Sequence, residues 1–171
     1  MIRQPSLQRP YSDFYSGDPA VIPRPLPPPL DASDDERALF KRNFDEYRTK
    51  ITVAKETGNW TEVAVPGQSI TSFLMGHVDR TIWRSIVDRQ ALPDDNARYI
   101  GPATMLQILV RLSVQSINGW DFKIERHVDS DWGWAMAQPE LIQTLDNIDP
   151  KIVAELGGGV FRRLQTIHPK S

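Results

Sequence analysis

The sequence predicts an α+β fold that is mainly helical, with a short β-hairpin packed on about five helices and an extended proline-rich N-terminal arm. Three observations support this. Prolines crowd the chain before residue 30, apolar residues recur at helical spacing over most of the remainder, and two β-prone runs flank a Pro-Gly turn. With 171 residues the chain can bury a sizeable core. We therefore predict an arm over residues 1–30 and a single α+β domain over residues 31–171.

The arm is indicated by its prolines, which remove backbone donors and restrain the preceding residues to extended geometry. Residues 23–29 are predicted to form polyproline II. The arm also contains more apolar side chains than a solvated linker needs, so we expect it to lie along a neighbouring chain; a disordered tail is the alternative. The expected partner-binding residues in the arm are Tyr11, Phe14, Tyr15, Pro23, Pro25, Leu26, Pro27, Pro28 and Pro29.

The first helix is predicted to begin at a capping box formed by Ser33 and Glu36. Its apolar residues form one narrow stripe and its other faces are charged, so we expect it on the outside of the fold. The stripe consists of Phe40, Phe44, Tyr47 and Ile51.

The middle of the chain is predicted to contain the hairpin and the core helices. Residues 60–65 and 69–75 are β-prone, and the Pro-Gly turn between them predicts that they pair. Residues 78–90 form an amphipathic pattern that predicts a helix. Residues 105–117 are apolar almost all round, which predicts the central buried helix, with Asn118 and the glycine after it as a left-handed stop.

The C-terminal third begins with residues 120–138, in which tryptophans alternate with aspartates and which we predict to be a loop or short hairpin. A short helix is expected from Pro139 and a longer one from Pro150. Three consecutive glycines, residues 157–159, interrupt the last pattern. Each destabilises a helix by about 1 kcal/mol relative to alanine, so they predict a close helix crossing or a kink. A phosphate-binding loop is disfavoured because the P-loop spacing and its lysine are missing.

Catalytic and metal-binding patterns are missing from the sequence. There is no cysteine, so disulfides, thiolate metal sites and a cysteine nucleophile are excluded. The three histidines lack metal-ligand spacing, the serines lack a nucleophile elbow, and the paired acids lack a calcium loop. We predict a non-enzymatic protein without a cofactor or metal; an enzyme would need a pocket lined by the glycines or by the acidic tryptophan loop.

Charge and aromatic residues favour protein partners over nucleic acid. The formal net charge is −2, which excludes a generally basic nucleic-acid coat. Trp132 and Trp134 lie in an acidic stretch, so core packing or partner contacts are favoured over base stacking. Basic residues cluster in two places, where a solvated face is expected and phosphate contacts are the alternative. These residues are Arg80, Arg84, Arg89, Arg162 and Arg163.

Three segments suggest a family. They are Val-x-Val-Pro-Gly-Gln at 63–68, an apolar run ending in Asn-Gly-Trp at 110–120, and Asp-Pro followed by Glu-Leu-Gly-Gly at 149–158. In this order they resemble small virion and tail-assembly proteins of bacterial viruses, over about residues 58–165. The resemblance implies a multi-copy structural or assembly subunit that binds capsid, connector or tail proteins. It also implies a location in the virion, or in the cytoplasm of the bacterial host during assembly.

Two other functions remain open. The polyproline segment could be the ligand of an aromatic groove, which would make the chain a cytoplasmic adaptor or regulatory protein. The arginines could instead belong to a nucleic-acid-associated factor, whose affinity would fall steeply with salt. A membrane partner is not expected, because no apolar run approaches the roughly 18 residues of a membrane span.

Overall fold

The computed structural model describes residues 9–118, 120–121, 127–128, 135–136, 144 and 147–167 of the chain. Over these residues the fold is α+β with more helix than strand, which confirms the predicted class. The helices are α1 (Asp34–Thr57), α2 (Arg80–Gln90), α3 (Pro102–Ser113) and α4 (Pro150–Ile167). The strands are β1 (Tyr11–Asp13), β2 (Phe73–Met75), β3 (Val114–Ile117), β4 (Trp120–Asp121), β5 (His127–Val128) and β6 (Ala135–Met136). The short helix predicted from Pro139 lies outside the described residues apart from Thr144.

The described chain forms two units. The small unit is Ser12–Thr71, and the large unit contains the other described residues. The small unit joins much of the predicted arm to α1 and to the loop that follows α1, so an extended arm over residues 1–30 is not confirmed. Residues 1–8 lie outside the described part of the chain. The boundaries of these two units therefore differ from the predicted ones, which were an arm over residues 1–30 and a single domain over residues 31–171.

Helix beginnings follow local capping signals. The Ser33 hydroxyl accepts a hydrogen bond from the Glu36 amide at 3.2 Å, which confirms the serine half of the predicted capping box. Asp79 caps α2 in the same way, with its carboxylate 2.7 Å from the Thr81 amide. That hydrogen bond holds the pKa of Asp79 below its ordinary value, because it favours the charged form.

The core of the large unit lies where α3 packs on α4, with α2 against them. The predicted central helix is confirmed over Pro102–Ser113, and its buried apolar face includes Leu109 and Val110. Trp83 of α2 is only 2% exposed, and its ring meets the ring of Phe161 edge-on with centroids 5.8 Å apart. Burying a side chain of this size stabilises the fold by several kcal/mol.

The crossing of α3 and α4 depends on Gly157. A Cβ at this position would lie 2.7 Å from the carbonyl oxygen of Leu106 and 3.0 Å from its Cβ, closer than atoms approach without a shift. Helix α4 continues through all three glycines as Pro150–Ile167. Of the two structures predicted for the triplet, the close helix crossing is therefore confirmed.

The predicted hairpin is wrong. Residues 60–65 do not form a strand: the Val63 amide donates to the Trp60 carbonyl at 3.1 Å in a turn, and the Val63 side chain is buried in the small unit. Strand β2 pairs instead with β3, antiparallel, with Phe73 opposite Ile117. Residues 114–117 were predicted as helix, but they form a strand in which buried and half-buried residues alternate, with the β-branched Val114 and Ile117 at its ends.

The turn after β3 is stabilised by Asn118, which has a left-handed φ of 52°. Its side-chain oxygen accepts from the Ser72 amide at 2.8 Å, and its own amide donates to the Ser72 carbonyl at 2.8 Å. The predicted left-handed stop is thus confirmed, although it ends a strand. Strand β3 then pairs with β4, and β5 pairs antiparallel with β6, so of the loop or short hairpin predicted for residues 120–138 the described residues show paired strands.

Candidate partner-binding surface

The small unit has a core of its own that includes part of the predicted arm. Phe14 is completely buried, and its ring meets Trp60 edge-on at 4.9 Å. Val21 bridges to Ala64, and the Ile22 amide donates to a carbonyl in the loop after α1 at 2.8 Å. Residues 14–22 are therefore held against α1 and its following loop. The buried apolar residues are Phe14, Val21, Ile51, Ala54 and Val63.

A buried ion pair secures the beginning of this segment. The Lys55 ammonium lies 2.7 Å from the Asp13 carboxylate, and the Asp13 side chain is only 5% exposed. The same ammonium donates to the Phe14 carbonyl and lies 4.5 Å from the centre of the Phe14 ring. Lys55 thus connects the last turns of α1 to the chain at residues 13–14 by three interactions.

Residues 23–30, which we name the strap, leave this core and lie along the N-terminal half of α1. The Arg24 guanidinium is 4.9 Å from the centre of the Phe44 ring, and the Leu30 carbonyl accepts a hydrogen bond from Arg37 at 2.7 Å. The strap therefore runs antiparallel to α1. Because prolines restrict its backbone, it loses little conformational entropy on binding.

The strap presents two leucines to solvent. Leu26 is 87% exposed and Leu30 is 98% exposed, although both belong to a segment whose ends are fixed by contacts with α1. The predicted arm prolines flank them: Pro25 and Pro28 are half-buried, and Pro23, Pro27 and Pro29 are exposed. Because they belong to a segment that is already held against the helix, these two leucines are the candidates in the strap for contact with a partner.

The N-terminal half of α1 beneath the strap contains the predicted aromatic stripe. Phe40 stacks on Phe44 with centroids 5.7 Å apart, and Phe44 lies 6.4 Å from Tyr47. These three rings are half-buried, whereas Ile51 further along the stripe is buried. The stripe is thus a surface feature at one end and part of the small core at the other.

Four basic residues lie on the strap or on the Phe44 side of α1, and we name them the basic strip: Arg24, Arg37, Lys41 and Arg48. The Arg48 guanidinium lies 5.9 Å from the Phe44 ring, on which Arg24 also packs. Arg37 and Lys41 precede Phe44 by seven and three residues, so they share its side of the helix. All four side chains are exposed, and none makes an ion pair with another described residue.

The other predicted partner residues lie elsewhere. Tyr11 packs on the core of the large unit, where the Arg163 guanidinium is 3.5 Å from its ring centre. Tyr15 is half-buried in the small unit. Trp132 and Trp134 lie outside the described residues.

The predicted phosphate contacts do not form one surface group. Arg80 and Arg84 are exposed on α2, and Arg162 is exposed on α4. Arg89 is buried, and this burial lowers its pKa, with a smaller effect from the charge of Arg98. A phosphate could therefore reach the two exposed arginines of α2 but not the third.

Features that would suggest an enzyme are weak in the described residues. A cleft of about 280 Å³ lies between α3 and α4, and among its described lining residues the polar side chains are those of Thr104 and Gln107 and none is titratable. No cluster of three or more histidine or acidic residues in the described ranges could hold a metal ion. Neither feature provides a general acid, a general base or a nucleophile activated by one.

Comparison with known proteins gives no relative: no family model, curated protein or solved structure matches this chain. The resemblance to virion and tail-assembly proteins therefore stays a prediction. Within the part of the chain that the structure describes, no helix combines the length and the apolar character needed to cross a membrane. Among the described residues, the strap and the basic strip are the surface features that favour a binding role.

Sequence reasoning located part of this surface. The proline spacing indicated the strap, and Leu26 was among the residues predicted to contact a partner. Leu30 and Arg24 were missed. The signal for Arg24 was present, because it is the one cation inside the proline run, but its packing on Phe44 depends on the path of the strap.

Proposed function

We propose that this protein is a non-enzymatic structural or assembly subunit of a bacterial virus particle and that it binds neighbouring protein subunits through the strap. The viral setting follows from the sequence resemblance. The binding role rests on a single observation, which is that the strap is fixed to α1 while Leu26 and Leu30 are almost fully exposed.

The geometry suits repeated, individually weak contacts. A strap fixed to a helix needs little ordering when it binds, so more of the contact energy contributes to affinity. Two leucines bury only a small area, and a single copy would bind weakly. In a particle the copies are linked, and their contacts then act at high effective concentration.

We expect the double variant Leu26→Ser/Leu30→Ser to lose partner binding while keeping its fold. Each leucine is exposed, so its replacement removes almost no buried contact and should leave the melting temperature within about 2 °C. The measurement is solution mass by light scattering, for the protein alone and mixed with purified particle proteins of the virus that encodes it. The full chain should exceed its monomer mass of 19.5 kDa or enter a stoichiometric complex.

The matched control is Leu39→Ser/Val53→Ser. These residues are 52% and 48% exposed, and they lie on the side of α1 away from Phe44. The control should assemble like the unmodified protein. A protein that stays monomeric and forms no complex would refute the proposal, as would a control that loses assembly to the same extent as the strap variant.

A further inference from the structure

We propose that the strap and the basic strip together bind an acidic protein segment that also contains apolar side chains. This inference rests on the proposed function and adds the chemistry of the partner. The partner is a polypeptide whose carboxylates pair with the guanidinium and ammonium groups and whose apolar residues contact the leucines.

Positive charge is concentrated around Phe44. Two guanidinium groups, from Arg24 and Arg48, lie 4.9 and 5.9 Å from the centre of its ring, so two like charges are held near each other. Lys41 adds a third charge on the same side of the helix. No described carboxylate lies within ion-pair distance of these groups, so they are available to pair with the carboxylates of an acidic partner.

The apolar part of the surface lies within the same segment. Leu26 follows Arg24 by two residues, and Leu30 provides the carbonyl that Arg37 binds. The exposed leucine side chains are thus bracketed by cations at both ends of the strap. A partner segment that alternates acidic and apolar residues could place both kinds of side chain in contact.

A nucleic acid fits this surface less well. The Phe44 ring is half-buried, Phe40 stacks on it at 5.7 Å, and two guanidinium groups lie 4.9 and 5.9 Å from its centre, so these side chains compete with a base for the ring. The exposed leucines of the strap likewise have no role toward phosphates.

The test is binding of labelled peptides to the full chain, measured by fluorescence anisotropy. The acidic probe has four Glu-Glu-Leu repeats, the neutral probe has four Gln-Gln-Leu repeats, and a short single-stranded DNA is the third probe. We expect the acidic peptide to bind about tenfold more tightly than the neutral one, with the difference shrinking between about 50 and 300 mM salt. Arg24→Glu/Arg48→Glu should abolish that preference.

The matched control for charge is Arg42→Glu/Lys50→Glu. It changes the net charge by the same amount, and both residues are exposed on α1 away from the Phe44 side. It should keep a preference for the acidic peptide. Because Arg24→Glu also removes a contact with Phe44, the neutral variant Arg24→Gln/Arg48→Gln is measured in parallel, and circular dichroism confirms that each variant is folded.

Three results would overturn the inference: equal binding of the acidic and neutral peptides, equal losses in the two charge variants, or tighter binding of the DNA than of the acidic peptide. These failures differ from failure of the proposed function. If the leucine variant abolishes assembly while Arg24→Glu/Arg48→Glu assembles normally, the strap binds a partner whose recognition does not require acidic residues.

Discussion

Gly157→Val is expected to lower the free energy of unfolding by about 3 kcal/mol. A Cβ here would lie 2.7 Å from the backbone carbonyl oxygen of Leu106, and a backbone atom in the middle of α3 cannot move aside as a side chain can. The two helices would have to separate, and the contacts along the core of the large unit would loosen. Urea denaturation followed by far-UV circular dichroism measures the change.

The neighbouring glycine provides the control for this prediction. A Cβ at Gly158 would have as its nearest neighbour a guanidinium nitrogen of Arg162, at an ordinary 3.6 Å. Gly158→Ala should therefore stabilise the protein by up to about 1 kcal/mol, because alanine is the better helix former. Adjacent substitutions thus have opposite signs. Equal effects at the two positions would show that the close crossing does not limit the packing of α4 on α3.

The glycine triplet shows that local sequence can predict a close helix crossing but not which residue lies at it. Three consecutive glycines in an apolar helical pattern need an explanation, since each disfavours the helix, and a close crossing was therefore predictable. The identity of the glycine at the crossing was not, because it depends on how α4 is rotated against Leu106 in another helix.

The sheet was mispredicted for a related reason. The turn at Gly67 is real, with φ of 79°, but a turn signal does not determine which strands pair across it. Strand β2 pairs with β3, a partner distant in sequence. Residues 114–117 continue the pattern of α3, in which Gln107, Arg111 and Gln115 recur at helical spacing, so periodicity alone does not separate this four-residue strand from the helix before it.

The backbone conformation of the candidate surface could be predicted from its prolines, whereas the contacts of its side chains could not, because they depend on tertiary packing. Prolines alone exclude regular helix from the strap. By contrast, an aromatic residue near prolines can contact a partner or its own chain, and Phe14 contacts its own chain because Ile51, Ala54 and Val63 form a site for it. The ion pair that fixes this segment joins residues 42 positions apart, which no local pattern indicates.

Lys55→Met is expected to destabilise the small unit by about 3 kcal/mol. The substitution leaves the Asp13 carboxylate, 5% exposed, without its cation, and it removes the hydrogen bond to the Phe14 carbonyl. Segment 14–22 should then open more often. Hydrogen exchange of the Ile22 and Val65 amides, which bond across this segment, should accelerate roughly 100-fold.

Two further variants test whether the loss of stability in Lys55→Met comes from the ion pair or from the change in charge on α1. Lys50→Met removes an exposed lysine five residues earlier on α1 and should change stability by less than about 0.5 kcal/mol. Asp13→Asn/Lys55→Met should recover part of the loss, because the carboxylate left without its cation is then replaced by a neutral amide. If the single and double variants were equally unstable, the stability would come from the contacts of Lys55 with Phe14.

In either case Lys55 fixes the segment from which the strap begins, so Lys55→Met should weaken partner binding even though it leaves Leu26 and Leu30 unchanged.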